Sequence, residues 1–410
     1  MSREDVALAI KHAQTAFRSF KTTTARERSR LLRRWYELML ENSSDLATLI
    51  TWENGKPLAD AKGEAIYAAN FLEWFSEEAP RTYGDHIPVS TTGSRVITIR
   101  QPVGVCGIIT PWNFPAAMIT RGVGPALAAG CTVVVKAPGE TPFTALALVE
   151  LGKQAGFPDG VLNVVTCLEN TPEIGKELCE NPIVKKISFT GSTSVGKLLM
   201  QQSSGTLKKL NFELGGNAPF IVFDDADIDK AVDGAIASKF RTSGQTCVCA
   251  NRIYVQKDIY QAFADKFARK VSNFRVSGGF AEGTTHGPLI HKKAVDKAHS
   301  HVEDAVAKGA KVILGGQCMD DLGPNFYGMT VITGMKKDMK LHQEETFGPI
   351  AGLFEFETEA EVVELANQSE VGLAGYFYSR DINRIWRVAE ALEVGMVGVN
   401  TGLVSDPAVP

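Results

Sequence analysis

The chain has 410 residues and a formal net charge of -4, from 43 basic against 47 acidic residues; that length fits about two to three domains, and the balance lacks the basic field of a nucleic-acid binder. Hydrophobic residues make up 44%, enough for a sizeable core, yet no apolar run reaches the length of a membrane span. The seven cysteines are irregularly spaced, which excludes a disulfide framework and points to a reducing compartment.

Residues 1–20 carry Glu4 and Asp5 and no secretory apolar segment, so they do not read as a signal or transit peptide. The cytosol is the expected location, with the mitochondrial matrix as the alternative if a leader precedes this sequence. Val6, Ile10, Ala13 and Phe17 mark one face of an amphipathic helix. Residues 1–80 are helical in pattern, and "RERSRLLRR" (26–34) reads as a solvated helix face rather than an anion site. "YGDHIPVSTTGSRVITIRQPVG" (83–104) brings turn residues and alternation at Val96–Ile99, and reads as a β-hairpin or an excursion from the main sheet. From 104 to 215 strands and helices alternate. "VGVCGIIT", "CTVVVKA", "GVLNVV" and "KKISFTG" are strands; "RGVGPALAAG" and "TPFTALALVELGKQAG" are helices. Short apolar strands between helices predict a parallel, doubly wound sheet. A second α/β pattern runs through "PFIVF", "NRIYVQ", "KVILGG", "AGLFEF" and "GMVGVN". The expected organisation is one α/β domain from 1–80 and 104–215, the hairpin at 81–103, and a second α/β domain at 216–410.

Five short stretches carry chemistry. "FTGSTSVGK" (189–197) joins a strand to a helix, where a diphosphate can rest. Leu198 stands where a P-loop needs Ser or Thr for magnesium, which argues against nucleotide hydrolysis. A plain tight turn remains the other reading. "VVVKAPGETP" sets Lys136 at the C-terminal end of a buried strand, the edge where open α/β sheets bind ligands; a snorkelling structural lysine is the alternative. In "PWNFP" (111–115), Asn113 is a rigidly held amide, suited to an oxyanion or to bracing a turn. "NFELGGNAP" (211–219) puts Glu213 in an apolar setting, where desolvation raises a carboxyl pKa toward that of a useful base; local pairing is the alternative. "SGQTCVC" (243–249) offers Cys247 and Cys249. A catalytic thiol needs a base or a positive field. His286, His291, His299 and His301 lie in charged sequence expected to be exposed, so a Cys–His hydrolase is not indicated. No metal site is expected, since "CVC" lacks zinc-ligand spacing.

These motifs, in this order and with "EETFGP" (344–349), resemble the aldehyde dehydrogenase superfamily along almost the whole chain. "ITRGVGPALAAGCTVVVK", "SKFRTSGQTCVCAN" and "EGTTHGPLI" are most similar to the branch that oxidises succinic semialdehyde in 4-aminobutyrate degradation. The resemblance implies a Rossmann-like NAD(P)-binding domain, a second α/β catalytic domain and a β excursion for oligomerisation into homodimers or homotetramers. It makes Cys247 the nucleophile, Asn113 the oxyanion donor together with the Cys247 backbone N–H, and Glu213 the activator of water. Lys136 and Glu345 would hold ribose hydroxyls, Ser192 the diphosphate, and Phe347 would pack near the nicotinamide. Ile109, Thr110, Pro111, Trp112, Gly139, Glu140, Gly191 and Gly196 would complete the cofactor site. Arg121, Arg241 and Ser405 would bind an aldehyde's remote carboxylate, with a surface ion pair as the alternative for each arginine. Cys249 is a candidate disulfide partner for Cys247, or a passive core thiol.

Three departures from the family pattern bear on function. NAD-preferring members carry Glu three residues after the strand lysine; here Gly139 stands there with Glu140 next, which leaves NAD and NADP both open. The sequence ends at "DPAVP", before the family's closing loop and oligomerisation strand, and begins inside the usual first helix. It therefore reads as shortened at both ends, and a catalytically impaired subunit is an alternative, as is a dehydrogenase for another aldehyde.

Overall fold

The computed structural model describes residues 1–408. The chain forms two compact units, one built from Met1–Asn54 and Leu58–Leu214, the other from Gly55–Pro57 and Gly215–Asp406.

In the first unit, β1 (His86–Ile87) and β2 (Val96–Ile97) form the expected antiparallel hairpin. Its apolar side chains are exposed, Ile97 by 69% and Ile99 by 72%. The main sheet holds β3 (Val105–Ile109), β4 (Thr132–Ala137), β5 (Leu162–Thr166), β6 (Val184–Thr190) and β7 (Lys209–Glu213). All five are parallel, in the order β5-β4-β3-β6-β7. The chain starts at the centre, fills one side, then crosses β3 to fill the other. That is the doubly wound arrangement, with its switch point between β3 and β6. Successive residues of β3 serve opposite faces: Cys106 and Ile108 join a core with Trp35, Phe71 and Leu127, while Val105 and Ile109 join one with Val6, Ile10 and Leu178. Burial on both faces explains why "TVVVKA" reads as a continuous apolar run.

The second unit carries β8 (Ala218–Val222), β9 (Ala250–Gln256), β10 (Lys311–Leu314), β11 (Thr330–Thr333), β12 (Ile350–Phe356), β13 (Ala374–Tyr378) and β14 (Met396–Val399). They form one sheet in the order β10-β11-β12-β9-β8-β13-β14, parallel except for the edge pair β10–β11. Phe220 and Val222 face one core and Ile221 the other, so this sheet too is covered on both sides.

Several expectations change. β7, β11 and β13 escaped the sequence pattern: β7 is a polar edge strand, while β11 and β13 are short buried strands that the reading did not single out. The helix after "PWNFP" is Ala117–Ala128, beginning before Arg121. In the first helix, Arg3–Phe20, the buried aromatic is Phe20, while Phe17 is half-buried. Arg33 and Arg34 make surface ion pairs with Glu73, Glu37 and Glu41, but Arg28 is buried and donates Nε to the Ala128 carbonyl at 2.8 Å. His286 and His301 are buried rather than exposed, at 9% and 1%. Among the described residues no helix is long and apolar enough to cross a membrane.

Candidate active site

In the first unit the predicted cofactor residues gather at the C-terminal edge of the sheet. Ile109 pairs in register with Lys136 on one side and Phe189 on the other, and Thr190 pairs with Glu213. Thr110 N–H donates to the Lys136 carbonyl at 3.2 Å, tying the start of "TPWN" to β4. The Lys136 side chain is 5% exposed. Burial holds its ammonium below the usual lysine pKa, with Glu140 opposing that shift. Its ammonium makes no hydrogen bond among the described residues, so a charged group sits at the ligand edge with donors to spare. At the switch point, Ser192 caps the helix Thr193–Ser203, accepting from Val195 N–H at 3.5 Å. Gly191 donates N–H to the Glu213 carbonyl at 3.0 Å. A Cβ on Gly196 would lie 2.5 Å from the Leu214 side chain, so glycine here permits close helix–strand packing. Gly139 is likewise fixed by space: a Cβ there would meet the Cys167 carbonyl at 2.7 Å. Glu140 is exposed.

Pro111, Trp112 and Asn113 form the turn between β3 and the helix Ala117–Ala128. Asn54 donates to the Trp112 carbonyl at 3.0 Å, and the Glu64 carboxylate accepts from Ala116 N–H at 2.9 Å at the start of that helix. An acidic group there satisfies an orphan N–H and complements the helix dipole. Asn113 is 6% exposed. Glu213 does not have the apolar setting expected from sequence. Its side chain is 31% exposed, and its Oε1 lies 3.3 Å from the Arg121 guanidinium.

In the second unit Cys247 follows a sharply turned segment. Thr242, Ser243 and Gly244 all have positive φ, at 51°, 54° and 78°. Left-handed backbone costs a β-branched residue about 1–2 kcal/mol, and it persists where its surroundings hold it. Ser243 Oγ donates to the Gly287 carbonyl at 2.8 Å, and Gln245 accepts from Ile290 N–H at 3.0 Å. Close backbone approaches surround the segment: a Cβ on Gly216 would lie 2.2 Å from the Cys247 carbonyl oxygen, and one on Gly244, within the segment, would lie 2.1 Å from that of Gly348. The thiols differ. Cys247 is partly exposed, whereas Cys249 is 2% exposed and directs Sγ to the Lys239 carbonyl at 3.5 Å. Burial pushes the Cys249 thiol pKa up. The pair lies in a turn closed by Cys249 N–H to the Thr246 carbonyl at 3.0 Å, neither strand nor helix.

Sequence reading missed the groups around this turn. Tyr376 donates its hydroxyl to the Val248 carbonyl at 2.8 Å. Lys239, fully buried, donates to Asn251 at 3.0 Å, and burial lowers its pKa to about 8. Both are buried polar side chains in apolar sequence, which was the available signal. Glu345 is half-buried and accepts from Gly216 N–H at 3.3 Å; burial raises its carboxyl pKa. Phe347 has a φ of 52°. Arg241 is half-buried and Ser405 exposed. Among the described residues no cluster of three or more His, Cys, Asp or Glu is placed to hold a metal.

The chain is 59% identical to "Succinate-semialdehyde dehydrogenase [NADP(+)] 1" of Schizosaccharomyces pombe, across 100% of this chain and 82% of that protein. It is 57% identical to "Glutarate-semialdehyde dehydrogenase" of Pseudomonas putida, across 100% of this chain and 84% of that protein. The crystal structure of succinate-semialdehyde dehydrogenase from Burkholderia pseudomallei superposes with a TM-score of 0.98 at 57% identity, across 100% of this chain and 84% of that one. The model of the aldehyde dehydrogenase family matches residues 1–410, and the chain belongs to that family.

Proposed function

We propose that this chain oxidises succinic semialdehyde to succinate with NADP as the preferred acceptor. The observation that carries the reading is the contrast between two thiols, a partly exposed Cys247 and a buried Cys249, in a chain 59% identical to an NADP-dependent enzyme of that reaction. The Cys247 thiolate attacks the aldehyde carbon and forms a thiohemiacetal, whose oxyanion is held by the Cys247 N–H and the Asn113 amide. A nicotinamide held there would supply the hydride acceptor. Loss of the hydride leaves a thioester on Cys247. Glu213 takes a proton from water as it attacks that thioester, and succinate leaves as the thiolate is restored.

Lys136, the helix N-terminus at Ser192 and the half-buried Glu345 suit a dinucleotide's hydroxyls and diphosphate. Gly139 itself carries no carboxylate, and the neighbouring Glu140, whose charge acts on Lys136, is exposed; the NADP preference rests on the similarity to an NADP-dependent relative. Arg121 and Arg241 supply guanidinium forks for the substrate carboxylate, with Ser405 as a further donor. The 57% identity to a Pseudomonas putida protein named glutarate-semialdehyde dehydrogenase supports a second reading for this chain, the semialdehyde one carbon longer. The exposed apolar hairpin β1–β2 supports self-association of like subunits. Steady-state kinetics across a series of ω-oxo acids and neutral aldehydes, with NADP and NAD, tests the reading. A preference for the four-carbon oxo acid and for NADP is expected, and equal turnover of butanal overturns it.

A further inference from the structure

The helix Lys292–Ala307 buries Val295, Ala298, Val302 and Ala305, and His301 lies on the same stripe. Both ring nitrogens reach the segment that contains Glu345. Nδ1 is 3.2 Å from Thr346 Oγ1, and Nε2 is 3.4 Å from the Glu344 carboxylate. A carboxylate only accepts, so Nε2 carries the proton. Burial, reinforced by Lys297, lowers the imidazole pKa, which favours the neutral ring. Nδ1 then accepts from the Thr346 hydroxyl. The two bonds differ in setting: Thr346 is 1% exposed, while the Glu344 side chain is 53% exposed. The Thr346 bond is therefore the stronger restraint.

The residue between those two is Glu345. Lys297, one turn earlier on the same helix, donates to the Glu345 main-chain carbonyl. One helix thus grips three consecutive residues, two through His301 and one through Lys297. Immediately beyond them Phe347 is in the left-handed region at φ 52°, a conformation that needs its neighbours fixed.

We propose that His301 is a positioning residue for cofactor binding: by holding Glu344 and Thr346 it sets the direction of Glu345 and Phe347 toward the bound nucleotide. The inference rests on the reading of Glu345 and Phe347 as cofactor contacts. His301→Leu keeps apolar bulk and removes both bonds; His301→Gln keeps an N–H donor for Glu344. Thr346→Val breaks only the buried bond and serves if His301→Leu does not fold. The readouts on the full chain are the Kd for NADPH, from the fluorescence of the bound reduced nicotinamide, and KM for the semialdehyde.

Losing the buried bond is expected to weaken NADPH binding roughly tenfold in His301→Leu and Thr346→Val, with KM for the semialdehyde within about twofold of wild type on the same reasoning. His301→Gln is expected to recover part of the affinity. A purely structural role would lower the melting temperature and leave the Kd unchanged, and that result overturns the proposal. Glu345→Gln separates the two possible failures. If it weakens NADPH binding while folded His301→Leu and Thr346→Val do not, the positioning claim alone is wrong. If none of the three changes the Kd, the assignment of Glu345 to the cofactor falls, and the proposal with it.

Discussion

The Arg121 guanidinium stands 3.3 Å from the Glu213 carboxylate. One side chain was expected to read the substrate's remote charge and the other to activate water, and the fold of the first unit puts them in contact. Their side chains are 41% and 31% exposed, so the pair contributes only about 0–1 kcal/mol to stability. Its importance is positional. Arg121→Ala is expected to raise KM for succinic semialdehyde about tenfold or more, the worth of a hydrogen bond to a charged group. It should also lower kcat, because Glu213 loses its partner. Arg241→Ala should raise KM with a smaller change in kcat. Kinetics with succinic semialdehyde and butanal check this; an equal rise in KM for both aldehydes contradicts the carboxylate role.

Gly216 is pressed against the Cys247 carbonyl and also donates to Glu345. Gly216→Ala introduces a methyl 2.2 Å from that oxygen, and backbone must move. A displacement of about 1 Å at a reacting group costs on the order of 100-fold in rate. The expected result is a loss of kcat of that size with far-UV circular dichroism preserved. Unchanged kcat would mean that the turn accommodates the methyl without moving the thiol.

Lys239 is fully buried and its pKa is lowered to about 8 by burial. Above that pH the folded state releases a proton that the unfolded state keeps up to the ordinary lysine value of about 10.4. The unfolded state then binds more protons, so this group's contribution to stability becomes more favourable as pH rises from about 8 to about 10. Lys239→Met removes the effect. Melting temperatures at both ends of that window should show wild type gaining on the variant with rising pH, and parallel behaviour would contradict the assignment.

Cys249 directs its thiol toward the Lys239 carbonyl, and its burial keeps it protonated. Cys249→Ala is expected to retain most activity. If the two cysteines form a disulfide when hydrogen peroxide oxidises them, the bond forms with loss of two protons and two electrons to the peroxide, and added thiol reverses it. Activity after peroxide, with and without dithiothreitol, checks the pairing. Thiol-reversible inactivation that persists unchanged in Cys249→Ala excludes it.

The parallel sheets were legible because buried strands such as Thr132–Ala137 are apolar without alternation and lie between helical stretches. β7 was not, because Lys209 and Asn211 on an edge strand break the apolar run. The site was legible as a set of motifs, each at a strand end or helix start. Its internal contacts were not. Arg121 and Glu213 meet only through the order of β3 and β7 in the sheet, which single-sequence periodicity does not encode. Thr242 and Ser243 carry no sequence mark of left-handed backbone, since neither residue type favours it. His301 was legible in principle: Val295, Ala298, Val302 and Ala305 define a helical stripe that includes position 301, but the charged residues around it suggested exposure.

The central claim is that Cys247 is the nucleophile for oxidation of a semialdehyde bearing a carboxylate. The most direct measurement is the rate of NADPH formation from succinic semialdehyde by this chain and by Cys247→Ala, with Cys249→Ala beside them. Activity in the first and third and its loss in the second is the predicted result. A Cys247→Ala chain that still reduces NADP at a rate comparable to wild type would contradict the account.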